Sequence, residues 1–109
     1  MTKFTPTAAA FIRKERSYLI GNSRAAARRF VEDIGSVVRM LNEYPQAGAE
    51  LDLLKGTPLQ GVRRWVKGNY TFDYELDAEG EAVVILVRHH AQDDPFLTYE
   101  PDDNEDCDP

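Results

Sequence analysis

The spacing of hydrophobic residues changes once along this chain, and the change limits the class of fold. Ala26, Phe30, Ile34, Val37, Leu41 and Tyr44 step by 4, 4, 3, 4 and 3 residues, which lines them along one face of an α-helix. Arg24, Arg28, Arg29, Glu32, Asp33, Arg39 and Asn42 lie off that face. From residue 62 the period drops to two. Val62, Arg64 and Val66 share one side, and Arg63, Trp65 and Lys67 the other. Tyr70, Phe72, Tyr74 and Leu76 then share a face opposite Thr71, Asp73 and Glu75, the pattern of a half-buried strand. Residues 82–87 are apolar on both faces and predict a central strand. Helix period first and strand period second predict an α+β domain.

Local signals set the boundaries. Thr5 suits an N-cap with Pro6 at the first helical position; alternatively, residues 3–5 end a short first strand. The first helix is expected to run to about Ile20, with Ala8, Phe11, Ile12, Tyr18 and Leu19 apolar and Glu15 interrupting the stripe. Gly21 is a stop signal, Asn22 or Ser23 caps the second helix, and Pro45 ends it. So short a link predicts an antiparallel helical hairpin. Residues 46–61, carrying Gly48, Gly56, Pro58 and Gly61, read as an irregular loop, long enough to suggest a role in partner binding. Asp77-Ala78-Glu79-Gly80-Glu81 reads as a tight strand-connecting turn.

At 109 residues the chain is one domain, and a permanent partner would help to stabilise it. The formal net charge of −6 is unevenly placed. Residues 1–99, read as the domain, carry all 13 Lys and Arg and 13 acids; residues 100–109 carry the other six acids, Glu100, Asp102, Asp103, Glu105, Asp106 and Asp108. A neutral body argues against nonspecific nucleic-acid binding, and the final ten residues have the composition of a solvated, disordered tail. Sign complementarity allows that tail to lie over the basic strands. Cys107 is the only cysteine, so no internal disulfide forms, as expected for a reducing cytoplasm. The run 8–12 is too short for a signal peptide, and no apolar run approaches the ~18 residues of a membrane span.

In order, the motifs resemble the RelE/ParE toxin superfamily over roughly residues 5–95. Thr5-Pro6 followed by alanine is similar to that family's first-helix start. Asn22-Ser23-Arg24-Ala25-Ala26-Ala27-Arg28-Arg29-Phe30 is similar to its second. Leu41, Pro45 and Gly48 fit its helix exit, and Gly61-Val62-Arg63 its arginine-bearing strand start. Tyr70-Thr71-Phe72-Asp73-Tyr74 resembles its aromatic strand, and residues 84–90 its last strand and histidine turn. The resemblance implies a helical hairpin packed on a small twisted antiparallel sheet of three to four strands. It also implies a cytoplasmic toxin neutralised by a cognate antitoxin. One branch, RelE-like, cleaves mRNA on the ribosome; the other, ParE-like, acts on DNA gyrase. Here the turn after His90 reads Ala91-Gln92-Asp93-Asp94, where many relatives carry arginine. Carboxylates there repel a phosphodiester, which favours the ParE-like branch.

Candidate residues follow. Phe11, Tyr18, Arg63 and Trp65 are the expected antitoxin contacts. A nuclease would use Arg63, Arg64, Arg88 and His90. Arg63, Arg64, Lys67 and Arg88 form either a basic groove or solvated strand charges paired with Asp73 and Glu75. Arg24, Arg28 and Arg29 either meet acid on a partner or form a plain exposed helix face. His89 and His90 alternate to opposite faces; with no third ligand, no metal site is expected. No cofactor motif is present, and there is no Ser/His/Asp array, glycine-rich phosphate loop or CxxC pair. A binding module of this fold that lacks toxicity is the third reading.

Overall fold

Both helices begin where their capping residues predict. Thr5 Oγ1 accepts from the Ala8 N–H at 3.2 Å, and Pro6 opens α1 (Pro6–Asn22). Ser23 serves two helices: its N–H donates to Leu19 O at 2.6 Å, closing α1, and its Oγ accepts from the Ala26 N–H at 3.2 Å, opening α2 (Arg24–Glu43). Gly21 does not end α1. The extended Ser23 makes the turn instead. Pro45 disfavours helical geometry at Tyr44, and α2 stops at Glu43 with Tyr44 as its C-cap. The Tyr44 side chain therefore leaves the apolar face it was expected to extend, and is exposed.

The computed structural model describes residues 1–90. The turn at residues 91–94 and the acidic segment 100–109 lie outside the described residues. Five strands form one sheet: β1 (Lys3–Phe4), β2 (Ala49–Glu50), β3 (Arg63–Lys67), β4 (Tyr70–Leu76) and β5 (Ala82–His89), in the order β1-β5-β4-β3-β2. The fold is α+β as expected, with one strand more than the upper count. Both edge strands are two residues long, too short to carry a period. β1 runs parallel to β5, so the sheet is mixed, while the other pairs are antiparallel. Part of the predicted loop is β2, followed by a 3₁₀ turn (Asp52–Leu54) that buries Leu54.

Register defines two faces, because directly opposed residues share a side of the sheet. Trp65, Phe72 and Val87 align on one face, and Lys67, Tyr70 and His89 follow on the same side. This face meets the helices, with α1 packed on β5 and β1. Ala8, Phe30, Val37 and Leu41 pack with Tyr70, Phe72, Tyr74, Ala82, Val84 and Val87 in the core. Full burial of such side chains contributes ~1.5–3 kcal/mol each. A β-bulge shifts the register so that Asp73 opposes Leu86 but Tyr74 opposes Val84. The β4–β5 ladder is interrupted there, and Thr5, on the β1 side of β5, bonds the same stretch. The Thr5 N–H donates to Val84 O at 3.0 Å, and its hydroxyl donates to Ile85 O at 3.3 Å.

β4 departs from the half-buried pattern. Thr71 and Asp73, on the face away from the helices, are as buried as the aromatic row. β4 is the middle strand of five, and long side chains stand on either side of its outer face: Arg64 opposes Asp73, and Arg88 opposes Thr71. β5 is interior, as expected for residues 82–87, but its outer-face residues are only half-buried.

Candidate functional site

Tyr70 is the hub of the hairpin–sheet junction. Its ring lies 4.6 Å from that of Phe30, 5.1 Å edge-on from His89 and 6.4 Å edge-on from Phe11. Its hydroxyl donates to Glu15 Oε2 at 2.5 Å. Burial first, and then the bond to and charge of Glu15, push the Tyr70 hydroxyl far above its usual range. Tyr70 is thus a fixed neutral donor, unsuited to act as a base near pH 7. Glu15, which interrupts the apolar stripe in sequence, is the acceptor that satisfies this hydroxyl. An acid among apolar residues, one helix face away from a tyrosine-rich strand, was the available signal.

Around this hub lies a cavity of about 510 Å³, with Glu15, Tyr18, Arg29, Asp33, Asn69 and His89 in its wall. A second groove of about 300 Å³ continues along α1, lined by Phe11, Lys14, Glu15 and Tyr18. Phe11 and Tyr18 therefore come together. Phe11 is half-buried against the core, while Tyr18 is 63% exposed and free to meet a partner.

Arg63 and Trp65 form a separate pair on the helix-facing side of β3. Trp65 is half-buried, packed on the core and opposite Phe72. The Arg63 guanidinium donates from Nη1 to Gly48 O at 2.8 Å and to Gln46 O at 3.2 Å, tying down the segment after α2. β4 separates β3 from β5, the strand under α1. At ~4.8 Å per strand the two pairs stand roughly 10 Å apart across the sheet.

Arg63, Arg64, Arg88 and His90 do not converge. Arg64 and Arg88 occupy the face opposite Arg63. Arg64 is held by Asp73 at two points, Nε to Oδ1 at 2.7 Å and Nη2 to Oδ2 at 3.1 Å. Asp73 is fully buried; two-point pairing is what makes such burial tolerable. Arg88 is half-buried. His90 is exposed past the end of β5, where its backbone N–H donates to Asn69 O at 2.9 Å. His89 points to the helix side, stacked edge-on against Tyr70. Among the described residues no group of three or more His, Cys, Asp or Glu is arranged to hold a metal ion, and no helix is long and apolar enough to cross a membrane.

One solved structure with this fold is that of the chromosomal ParDE TA system from P. aeruginosa. A chain of it superposes with a TM-score of 0.60 at 21% identity, over 81% of this chain and 92% of that one. No curated protein sequence matches this chain. The family model described as the ParE toxin of the type II toxin-antitoxin system, parDE, matches residues 2–94. With that match spanning both helices and all five strands, the chain belongs to the ParE toxin family of type II toxin–antitoxin systems.

Proposed function

We propose that this protein is the toxin half of its pair, that it acts in the cytoplasm by binding DNA gyrase and trapping the cleaved-DNA complex, and that a cognate antitoxin neutralises it. Family membership over residues 2–94 is the observation that carries this reading. The geometry supports binding over bond-breaking. RNA cleavage needs cations and a proton donor gathered about one phosphate, whereas Arg63 faces away from Arg64 and Arg88, and Arg64 is neutralised by Asp73. Tyr70, the most perturbed tyrosine, is held neutral against Glu15.

The antitoxin, on this reading, lays a helix in the α1 groove over Phe11 and Tyr18 and an extended segment along β3 over Arg63 and Trp65. Two aromatic anchors on α1, and one aromatic beside a cation on β3, match the helix-in-groove and strand-addition modes of peptide recognition, and β2 leaves only a two-residue edge beyond β3. Tyr18 is the best single probe, being exposed and outside the core.

Induced expression in bacteria tests the target. Filamentation with an SOS response, relieved by coexpressing the antitoxin, is the expected outcome. Rapid translation arrest with cut mRNA would replace this reading with a ribosome-dependent nuclease. Normal growth would identify a non-toxic binding module.

A further inference from the structure

The exposed arginines of this protein lie on the hairpin and not on the strands. Three of them line a face that the core does not use. While α2 turns Phe30, Val37 and Leu41 inward, Arg24, Ala27, Arg28, Val31 and Glu32 are spaced as a second stripe along it. With Arg16 and Ile20 of α1, this stripe lines a groove of about 340 Å³.

The groove has an apolar floor and a cationic rim. Ala27 is buried, and Ile20 and Val31 are 42% and 47% exposed. A small residue flanked by two branched aliphatic ones leaves a recess that an apolar side chain fits. Arg16, Arg24 and Arg28 face Glu32 as the groove's only acid. Among the described residues none gives these three arginines an ion pair or a hydrogen bond. Glu32 follows Arg28 by four residues, but an exposed pair at that spacing is worth only ~0.3–0.5 kcal/mol and yields to a better partner.

We infer that this groove is the docking site for an acidic amphipathic helix of a partner protein. The inference goes beyond the gyrase proposal and does not depend on it. From Arg24 to Glu32 the axis of α2 advances ~12 Å, so the matching element is about two turns long. It lies as a third helix against α1 and α2, with its apolar stripe in the recess and its flanking carboxylates on the arginines. Other occupants fit less well. A phosphate backbone would satisfy the arginines but leave Ile20 and Val31 wet, since it brings no aliphatic groups to cover them. A second copy placed about a two-fold axis would set the groove against itself and bring like charges together. The surface proposed for the antitoxin is separate, because Phe11 and Tyr18 lie roughly half a turn round α1 from Arg16 and Ile20.

The probe is a synthetic helical peptide with leucine at i, i+3, i+4 and i+7 and glutamate on both flanks, titrated into the isotopically labelled full chain. At low ionic strength the amide signals of Ile20, Ala27, Arg28 and Val31 should shift together and saturably. Affinity should fall about tenfold or more in an Arg16→Glu, Arg24→Glu, Arg28→Glu variant that unfolds at the parent temperature. At ~1 M salt, where the rim is screened, Ile20→Ser, Val31→Ser should remove the binding that is left. No saturable shift, or shifts centred on Phe11 and Tyr18, overturns the inference. Equal affinity for the same peptide with lysine in place of glutamate overturns the charge selection. Tighter binding of a single-stranded oligonucleotide at the same signals, unaffected by Ile20→Ser, Val31→Ser, replaces the helix with nucleic acid. Shifts of these signals with protein concentration alone replace it with a second copy.

Discussion

Replacing Gly48 with alanine should destabilise the fold far more than the same change at Gly35. A methyl group at Gly48 would meet Tyr74 Oη and Cε1 at 2.7 Å each and Arg64 O at 2.9 Å. Tyr74 is fully buried, and the Arg64 carbonyl belongs to β3, so none of these atoms is the free end of a flexible chain. The Gly48 N–H also donates to Tyr74 Oη at 2.7 Å, and any shift that relieves the clash breaks that bond. Overpacking of this kind costs ~1–3 kcal/mol and a net hydrogen bond ~1 kcal/mol, giving about 2–4 kcal/mol together. At ~4–8 °C per kcal/mol for a domain of this size, Tm should fall by roughly 8–32 °C. Gly35 lies inside α2, and its nearest neighbour would be Arg39 Nη1 at 3.4 Å, the mobile tip of a long side chain. Alanine there removes the helix penalty of glycine and should raise stability by ~0.5–1 kcal/mol. Thermal unfolding followed by circular dichroism measures both. Tyr74→Phe supplies the third corner of a cycle. It leaves the Gly48 N–H without its acceptor, and Gly48→Ala should cost less in that background, because one clash and the hydrogen bond are already gone. A Gly48→Ala protein within ~0.5 kcal/mol of the parent, or the same sign of change at both glycines, would refute the packing argument.

Three further outcomes follow from the buried and charged groups. Asp73→Ala should lower stability by ~3–5 kcal/mol in urea denaturation by removing the two-point carboxylate partner of Arg64, whereas replacing Arg64 and Asp73 together with leucine should cost much less. Tyr70 has its folded-state value raised, mainly by burial. Its stabilising contribution is therefore complete below the unfolded tyrosine value of ~10 and is lost as pH rises above it. Tyr70→Phe should flatten that alkaline fall in Tm. Asp77 is lowered, first by accepting from the Glu81 N–H and next by Lys3, so its contribution is present above the unfolded carboxylate value of ~4 and is lost as pH falls through the lower folded value. Asp77→Asn should reduce the drop in Tm on acidification, and an unchanged acid limb would remove Asp77 from that account.

Much of the site's framework was legible because its causes are local. Thr5, Ser23 and Pro45 act on backbone groups within four residues, and the positions assigned to them as caps or stop are close to those they occupy. The aromatic row of Tyr70, Phe72 and Tyr74 is buried as its alternation requires. Arg64 pairs with Asp73 across neighbouring strands, one of the two readings open for the strand cations. Gly21 misled because a glycine marks only where a left-handed turn is tolerated, and an extended serine two residues later made the turn instead. Glu15 was visible as the acid interrupting the apolar stripe of α1, but its acceptor role exists only once the hairpin packs on the sheet and brings Tyr70 beside it, 55 residues along the chain.

The order of periods, the caps and the alternation of rings were determined by the sequence alone, since each rests on backbone geometry over one or two turns of chain. Tertiary structure decided which outward-facing groups would lose water. Asp73 is buried because β4 became the middle strand between Arg64 and Arg88. Gly48 must lack a side chain because Tyr74, 26 residues further along the chain, fills the space beside it. Phe11 and Tyr18 stand apart from Arg63 and Trp65 because strand order, a choice among long-range pairings, set β4 between them. Such pairings depend on closing large loops around a shared apolar core, and that free energy belongs to the whole fold and to no single segment.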